Sequence, residues 1–385
     1  REIPVIRDGY VDMGFGTGGL KVTPAHDPND FEIARRHNLP SIKVIGDDGR
    51  MTAEAGRFAG LDRFECRTHV LRELADAGLL EKTAPYRHGV GHCYRCKAAV
   101  EPNLSRQWFV RTQPLAAKAI AAVREGRTRI IPESWAATYF DWLENIRDWC
   151  ISRQIWWGHR IPVWTCGACK AEICEPEDPP ACPRCGGTDL AQDPDVLDTW
   201  FSSQLWPFST LGWPEATEDL AYFYPTNLLV TDRGIIALWV ARMIMAGEHF
   251  LGREPFNDVY IHATILDRHG ARMSKSAGNG IDPIVMIRGG TNMDGTVFEK
   301  GFGADAVRFT LTAMTTEGQD MRIWPERFET GRNFANKIWN AARFCLMHLE
   351  GGPEALAPDL GEEDLDFADH WILSRLRGAI ERATS

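Results

Sequence analysis

Two Cys-x-x-Cys pairs, Cys166/Cys169 and Cys182/Cys185, stand 12 residues apart and dictate a local fold before any periodicity is considered. Each pair presents two thiolates from one tight turn, and two such turns closing on a single ion give the tetrahedral four-sulfur arrangement of structural zinc. Pro179 and Pro180 precede the second pair, Pro183 lies inside it and Gly186 and Gly187 follow, a composition suited to knuckle turns. The expectation is a zinc ribbon held by Cys166, Cys169, Cys182 and Cys185, structural rather than catalytic. A third pair, Cys93/Cys96, is half a site: its partners come from elsewhere or it binds no metal. Cys66, Cys150, Cys174 and Cys345 have no partner at metal spacing and read as buried thiols. Paired thiolates in a long chain with no signal pattern suit a reducing compartment, so the cytoplasm is expected.

At 385 residues the chain has material for two or three domains. The apolar run from Ile235 to Ala241 is cut by Arg242, well short of the roughly 18 residues a membrane span needs, so no transmembrane helix is expected. A net charge of −10 argues against a uniformly basic nucleic-acid binder but leaves room for a local basic groove. The chain starts at Arg1 without Met and stops at Ser385 inside an apolar i, i+4, i+8 pattern of Ile372, Leu376 and Ile380, which reads as the middle of a longer protein.

Alternating strands and helices are expected to about residue 88. Gly14 to Gly19 is a glycine-rich turn, and Leu20 to Thr23 alternates with period two, placing Lys21 and Thr23 on one strand face. Asp27 reads as an N-cap, with Pro28 at the first helical position and Asp30 two residues on, for a helix through His37. Residues 195 to 325 read as α/β, and the chain from Arg332 onward as helical.

Residues 271 to 276 read Ala-Arg-Met-Ser-Lys-Ser, followed by Ala277, Gly278 and Asn279, a small polar loop after the apolar segment Val259 to Leu266. A lysine on such a loop suits chemistry in which charge builds on a departing pyrophosphate, because an ammonium there stabilises the transition state more than the ground state. Taken alone, the string is equally a solvated loop.

Further blocks resolve that ambiguity. Arg272 to Ser276 resembles the second ATP signature of class I aminoacyl-tRNA synthetases, with Arg272 where that family usually has Lys. Gly16 to Gly18, Lys21 to Phe31, Cys150 to Gln154 with Trp157 to His159, Asp195 to Ser203 and Trp239 to Met243 resemble other blocks of the family, in order and over essentially the whole chain. The resemblance is closest to the valine-specific branch; the isoleucine branch, the sister alternative, is expected to carry glycine around His26. It implies an α/β fold: the C-terminal half of a class I Rossmann-like catalytic domain with an inserted, truncated editing domain, a zinc-binding insertion and the start of a helical anticodon-binding domain. The implied boundaries are editing domain 1–90, return segment 91–165, zinc ribbon 166–194, second half of the catalytic domain 195–328, and helical domain 329–385.

The implied reaction joins valine to tRNA(Val) using ATP, with Mg2+ accompanying the nucleotide. Valine carboxylate attacks the α-phosphate to give valyl-adenylate and pyrophosphate, and the acyl group then passes to the tRNA 3′ end. Lys275, Ser274 and Ser276 take the catalytic role, Arg272, Met273 and His262 lie against ATP, and Trp200, Ile235 and Trp239 wall the amino-acid pocket. Ile235 and Trp239 stand at i, i+4, so a helix would project both to one side. Such a pocket excludes isoleucine by size but not threonine, against which valine-activating enzymes are known to discriminate only about a hundredfold. The resemblance accordingly implies hydrolytic editing by Lys21, Thr23, Asp27, Asp30 and His26. Lys21 and Thr23 would serve as donors to the oxyanion and Asp30 as the anion for the substrate ammonium, with His26 a general base or simply a loop residue.

The family's other ATP signature, a His-Ile-Gly-His-like block, is absent and by the family's order would precede Arg1, so the chain alone is expected to be inactive. Two departures stand out. Asp232, Arg233 and Gly234 replace the usual Gly-x-Asp before Ile235, displacing the ribose-binding carboxylate, and an insert from Arg288 to Gly301 follows the signature loop as an expected surface excursion. The alternative of a different class is a zinc-ribbon module that binds tRNA without catalysis.

Overall fold

Val259 and Ile261 alternate with Asp258, Tyr260 and His262, and that period of two makes Phe256–His262 a strand with one buried face. The computed structural model describes residues 3–93, 96–274, 277–315, 319–348 and 364–384. The chain divides into two units, Arg1–Trp108 and Phe109–Ser385.

In the second unit, Phe256–His262 is the middle of three parallel strands, between Arg129–Ile131 and Thr226–Asp232. Val259 lies opposite Ile130 on one side and Leu229 on the other, so one sheet face is continuously apolar. Helices Gln113–Arg124, Ala136–Glu144 and Ala241–Phe250 contribute Ala116, Ala119, Leu143, Met243 and Ile244 to the core on that face. Alanine at three-residue spacing on the first of these helices lets the backbones approach. The buried Tyr139 hydroxyl donates to the Ala119 carbonyl at 2.9 Å. Arg129 pairs with Asp258 through two hydrogen bonds of 2.7 and 2.8 Å, tying an edge strand to the central one.

A second cluster, Met286, Val307, Ile323 and Phe328, joins helices Pro283–Arg288, Ala304–Met314 and Arg327–Met347. Gly331 makes the last two compatible: a Cβ there would lie 2.3 Å from Thr310 Oγ1 and 2.6 Å from the Ala306 carbonyl oxygen. The expected helical region thus begins at Arg327 and resumes in Phe367–Thr384, where Ile372, Leu376 and Ile380 are exposed. No helix among the described residues is long and apolar enough to cross a membrane.

The first unit carries helices Pro28–His37 and Arg63–Asp76, with Ala25, Ile33, Ala34 and Cys66 buried. The alternation of strands and helices expected there is not found; among the described residues the unit has only isolated bridges such as Ile45 with Met51. Leu20 to Thr23 is not a strand because a strand needs a second backbone alongside, and the Thr23 N–H donates instead to Asp30 Oδ2 at 2.6 Å. Asp27 caps the first helix as its sequence indicates, accepting from the Asn29 and Asp30 N–H groups at 2.8 and 3.0 Å. Asp8 clamps the far end of that helix through Arg36 and His37, and the Arg36 guanidinium holds its carboxyl well below the usual carboxylate range.

Of the four cysteines expected to be buried, only Cys66 is; Cys150 is half-buried, and Cys174 and Cys345 are exposed. Cys174 follows buried Ile173 on an edge strand, so the pleat turns it outward.

Phe256 is fully buried at the start of the central strand. Phe256→Ala should lower the unfolding free energy of the second unit by about 3–5 kcal/mol, read from the midpoint of urea denaturation followed by tryptophan fluorescence.

Candidate functional site

Parallel strands collect their carboxyl ends on one side, where polar groups need not be buried in the core. Asp232 ends one strand and sits in register with His262 at the end of the next. Asp232 Oδ2 accepts from the Thr264 hydroxyl at 2.7 Å and Oδ1 from the Gly234 N–H at 2.7 Å, with Arg272 Nη2 3.5 Å away. Burial raises its pKa, but these donors and the positive charge of Arg272 outweigh it and hold the carboxyl below the usual range. A carboxylate that stays ionised there is an acceptor suited to hydroxyl donors.

Just beyond Asp232, the chain does not enter the regular helix expected from the spacing of Ile235 and Trp239. It makes a 3-10 turn, Arg233–Ile235, and then a π turn, Ile236–Val240, before the α-helix begins. Both side chains nonetheless face one open hollow of about 510 Å3, together with Trp200. The resemblance named these three residues, and the turn that gathers them is not the helix their spacing implied. Trp206 stacks obliquely on Trp239, ring centroids 5.7 Å apart, and Trp239 Nε1 donates to the Ser203 carbonyl at 3.3 Å. Trp206 and Ser203, also on the wall, were not legible as pocket residues; Trp206 was one of several tryptophans, and nothing in its spacing singled it out.

Asp198 also escaped notice as a site residue. Its Oδ2 accepts from Trp149 Nε1 at 3.0 Å and Arg153 Nη2 at 2.6 Å, and its Oδ1 caps the turn that carries Trp200. A buried carboxylate with three donors fixes the Trp200 backbone.

The signature loop leaves the strand Phe256–His262 through Asp267, whose Oδ1 accepts from the His269 and Ala271 N–H groups. Arg272 is exposed and Met273 packs against the Met286 cluster. The Ser274 N–H donates to Asn279 Oδ1 at 3.0 Å, and Ser274 Oγ accepts from the Ala277 N–H at 3.1 Å. Lys275 and Ser276 lie outside the described residues. His262 is exposed, its Nδ1 2.9 Å from the Ala263 carbonyl oxygen.

In the ribbon, strand Val163–Cys166 pairs with Glu172–Cys174 and Leu190–Gln192, and the four sulfurs of Cys166, Cys169, Cys182 and Cys185 lie within 4.8 Å of one another. The two knuckles repeat one hydrogen-bond pattern: the Lys170 N–H donates to the Cys166 carbonyl at 2.9 Å and the Gly186 N–H to the Cys182 carbonyl at 2.8 Å. Both donors have left-handed backbones, φ 57° and 72°. Cys166 to Cys185 and Cys169 to Cys182 are 3.6 Å apart, close to the about 3.8 Å edge of a tetrahedron with zinc–sulfur bonds of about 2.3 Å. The N–H groups of Cys169 and Ala168 draw the Cys166 thiol down to about 7; the Gly187 N–H favours a Cys185 thiolate too, yet the surrounding cysteines push it up to about 12. Four sulfurs gathered this closely at tetrahedral spacing fit a zinc ion. Cys93 and Cys96 are not part of any convergence of three or more ligating groups among the described residues.

Within the first unit, Lys21 Nζ is 3.5 Å from Thr23 Oγ1, which itself donates to Asp30 Oδ2 at 3.0 Å. The three side chains form one chain of contacts, with Asp30 buried. His26 uses both ring nitrogens on the backbone: Nδ1 lies 3.1 Å from the Pro102 carbonyl oxygen, and Nε2 accepts from the Val44 and Ile45 N–H groups. That leaves no lone pair for a water.

A sequence profile described as "tRNA synthetases class I (I, L, M and V)" matches residues 29–324. The chain belongs to this family of class I tRNA synthetases. The valine–tRNA ligases of Carboxydothermus hydrogenoformans and Syntrophotalea carbinolica are 52% and 54% identical to it, over 100% and 98% of this chain but 42% and 40% of their own length. The chain therefore spans about two fifths of the curated relatives it matches. A solved methionyl-tRNA synthetase of Mycobacterium tuberculosis, in complex with methionyl-adenylate, is similar over 92% of this chain and 64% of its own, with a TM-score of 0.52 and 19% identity, a likeness of fold.

In this class I synthetase the ribbon gives a direct test. Protein purified without chelator should release about one zinc per chain on thiol modification, and Cys182→Ser should lose it; elemental analysis showing a folded, zinc-free parent would refute the site.

Proposed function

We propose that the chain is part of a valine–tRNA ligase, activating valine with ATP and Mg2+ and passing it to tRNA(Val) in the cytoplasm. The observation that carries the reading is the one hollow shared by Trp200, Ile235 and Trp239, with Ile235 three residues past the strand end at Asp232. Two indoles and a branched aliphatic chain suit a small apolar amino acid. Valine held there presents its carboxylate to the α-phosphate of ATP, and the chemistry then depends on positioning and on neutralising charge at the pyrophosphate. Lys275 supplies that charge, Ser274 and Ser276 flank it, and Arg272, Met273 and His262 border the nucleotide. Asp232, fixed by Thr264 and Gly234, is the carboxylate that receives the ribose hydroxyls. The four ribbon cysteines hold zinc, which stiffens the knuckles and takes no part in the reaction.

Editing of threonyl-tRNA(Val) belongs to the first unit. Lys21 donates to the developing oxyanion, Thr23 spends its hydroxyl proton and its N–H on aligning Asp30 instead of serving as the second donor the resemblance implied, and Asp30, backed by the helix start that Asp27 caps, holds the ammonium. His26 fixes the backbone around them.

In the complete enzyme, pyrophosphate exchange should depend on valine, and Trp239→Ala should raise the isoleucine-to-valine activation ratio roughly tenfold or more, because the methylene difference is worth about 1–3 kcal/mol. An unchanged ratio with reduced stability would make Trp239 a core residue only. Asp30→Ala and Lys21→Ala should each let threonyl-tRNA(Val) accumulate; parental deacylation rates in both would remove the editing assignment while leaving valine activation standing.

A further inference from the structure

The insert expected to be a surface excursion is a built part of the loop region. Gly290–Thr291 and Val297–Phe298 form a two-stranded antiparallel hairpin. It leaves helix Pro283–Arg288 at Gly289, whose φ is 88°, and returns at Gly301, where a Cβ would lie 2.1 Å from the Ile287 carbonyl oxygen. The Phe302 N–H then donates to the Met286 carbonyl at 2.7 Å. The excursion thus begins and ends at one spot on the helix, and Phe298 packs into the Met286 cluster.

Its tip reaches the other way. Asn292 is only 6% exposed, although it sits in the turn of a hairpin. Asn292 Oδ1 accepts from the Asp282 N–H at 3.0 Å, and Nδ2 donates to the Gly280 carbonyl at 3.2 Å and to Asp294 Oδ1 at 3.1 Å. Met293 lies against Gly280, where a Cβ would come 2.6 Å from its sulfur. Next to Gly280, Asn279 holds the Ser274 N–H, the Asp267 carboxylate and the Arg272 carbonyl. Two buried or half-buried amides therefore fix consecutive stretches of backbone, one on each side of Gly280. Hydrogen bonds closed inside a packed pocket are costly to leave unmade, so the hairpin restricts the path from Asn279 to Asp282.

We propose that Asn292 is a positioning residue for adenylate formation, acting through Gly280 and Asp282 to hold Asn279, and so Ser274 and Arg272, in their working places. The inference rests on the reading of this loop as part of an ATP-dependent valine-activating site.

Three variants of the complete enzyme test it. Asn292→Ala removes all three side-chain bonds. Asp294→Ala removes one of them from an exposed turn and is the milder change. Asp294→Asn keeps a side-chain carbonyl oxygen that can still accept from Asn292 Nδ2 and removes only the charge. Asn292→Ala should lower kcat for valine-dependent pyrophosphate exchange about tenfold with the valine KM unchanged, and amide hydrogen exchange over residues 278–283 should rise about tenfold. Asp294→Ala should shift both in the same direction by roughly threefold, and Asp294→Asn should stay near the parent in both. Parental kcat in Asn292→Ala, equal losses in Asp294→Ala and Asp294→Asn, or a loss that travels with a raised valine KM would overturn the proposal; should Asn292→Ala not fold, parental values in Asp294→Ala overturn it. A parent without valine-dependent exchange would refute the valine reading, and the hydrogen-exchange comparison would still decide whether Asn292 holds the loop.

Discussion

The central strand Phe256–His262 pairs on both edges and must fill the space over its apolar face, which Val259 and Ile261 do at 0 and 1% exposure while Phe256, also fully buried, closes the same core from the strand's start. Asp258, on the other face, is taken up by its pair with Arg129, so the apolar side of the strand has no room for polar chemistry. It falls to the carboxyl end, where Asp232, His262 and Thr264 emerge together. The site's position is thus a by-product of close packing: wherever the sheet runs out of apolar partners, the first residues beyond it meet.

A second constraint is electrostatic and links the sheet to the hollow. Asp198, buried, is shared among Trp149, Arg153 and the turn bearing Trp200, while Arg242 lies 3.9 Å away with its guanidinium 3.7 Å above the Trp149 ring. Burial pulls the Arg242 pKa down to about 10, against the attraction of Asp198. The Arg242 Nε and Nη1 are buried with no hydrogen-bond partner among the described residues, so its charge is offset by the nearby Asp198 carboxylate and the Trp149 ring, and Asp198 also caps the turn bearing Trp200. Pocket shape and charge balance are one arrangement.

What the sequence disclosed follows from how local each signal is. The ribbon was readable because metal geometry ties residue type and spacing directly to structure, and the helix from Pro28 because its cap, proline and acidic residue act within four positions. The strand over Leu20 to Thr23 was misread because alternation is necessary for a strand but pairing decides it, and pairing is not local. Ile235 and Trp239 were named by the resemblance and expected on one side of a regular helix that is absent; the wider π turn delivers them to one hollow. Trp206, Asp198 and Asn292 could not be singled out because each takes its place from a partner 10 to 49 positions away or from burial that no pattern announces.

The ribbon's geometry carries one further consequence. The 3.6 Å sulfur contacts run between the knuckles, Cys166 to Cys185 and Cys169 to Cys182. Without a metal, an oxidant such as a peroxide will therefore find bridging partners across the ribbon as well as inside each Cys-x-x-Cys turn, and a crosslink of that kind fastens one knuckle to the other. Oxidative damage here would leave a ribbon that is still folded yet unable to take its ion back until a reductant reopens it.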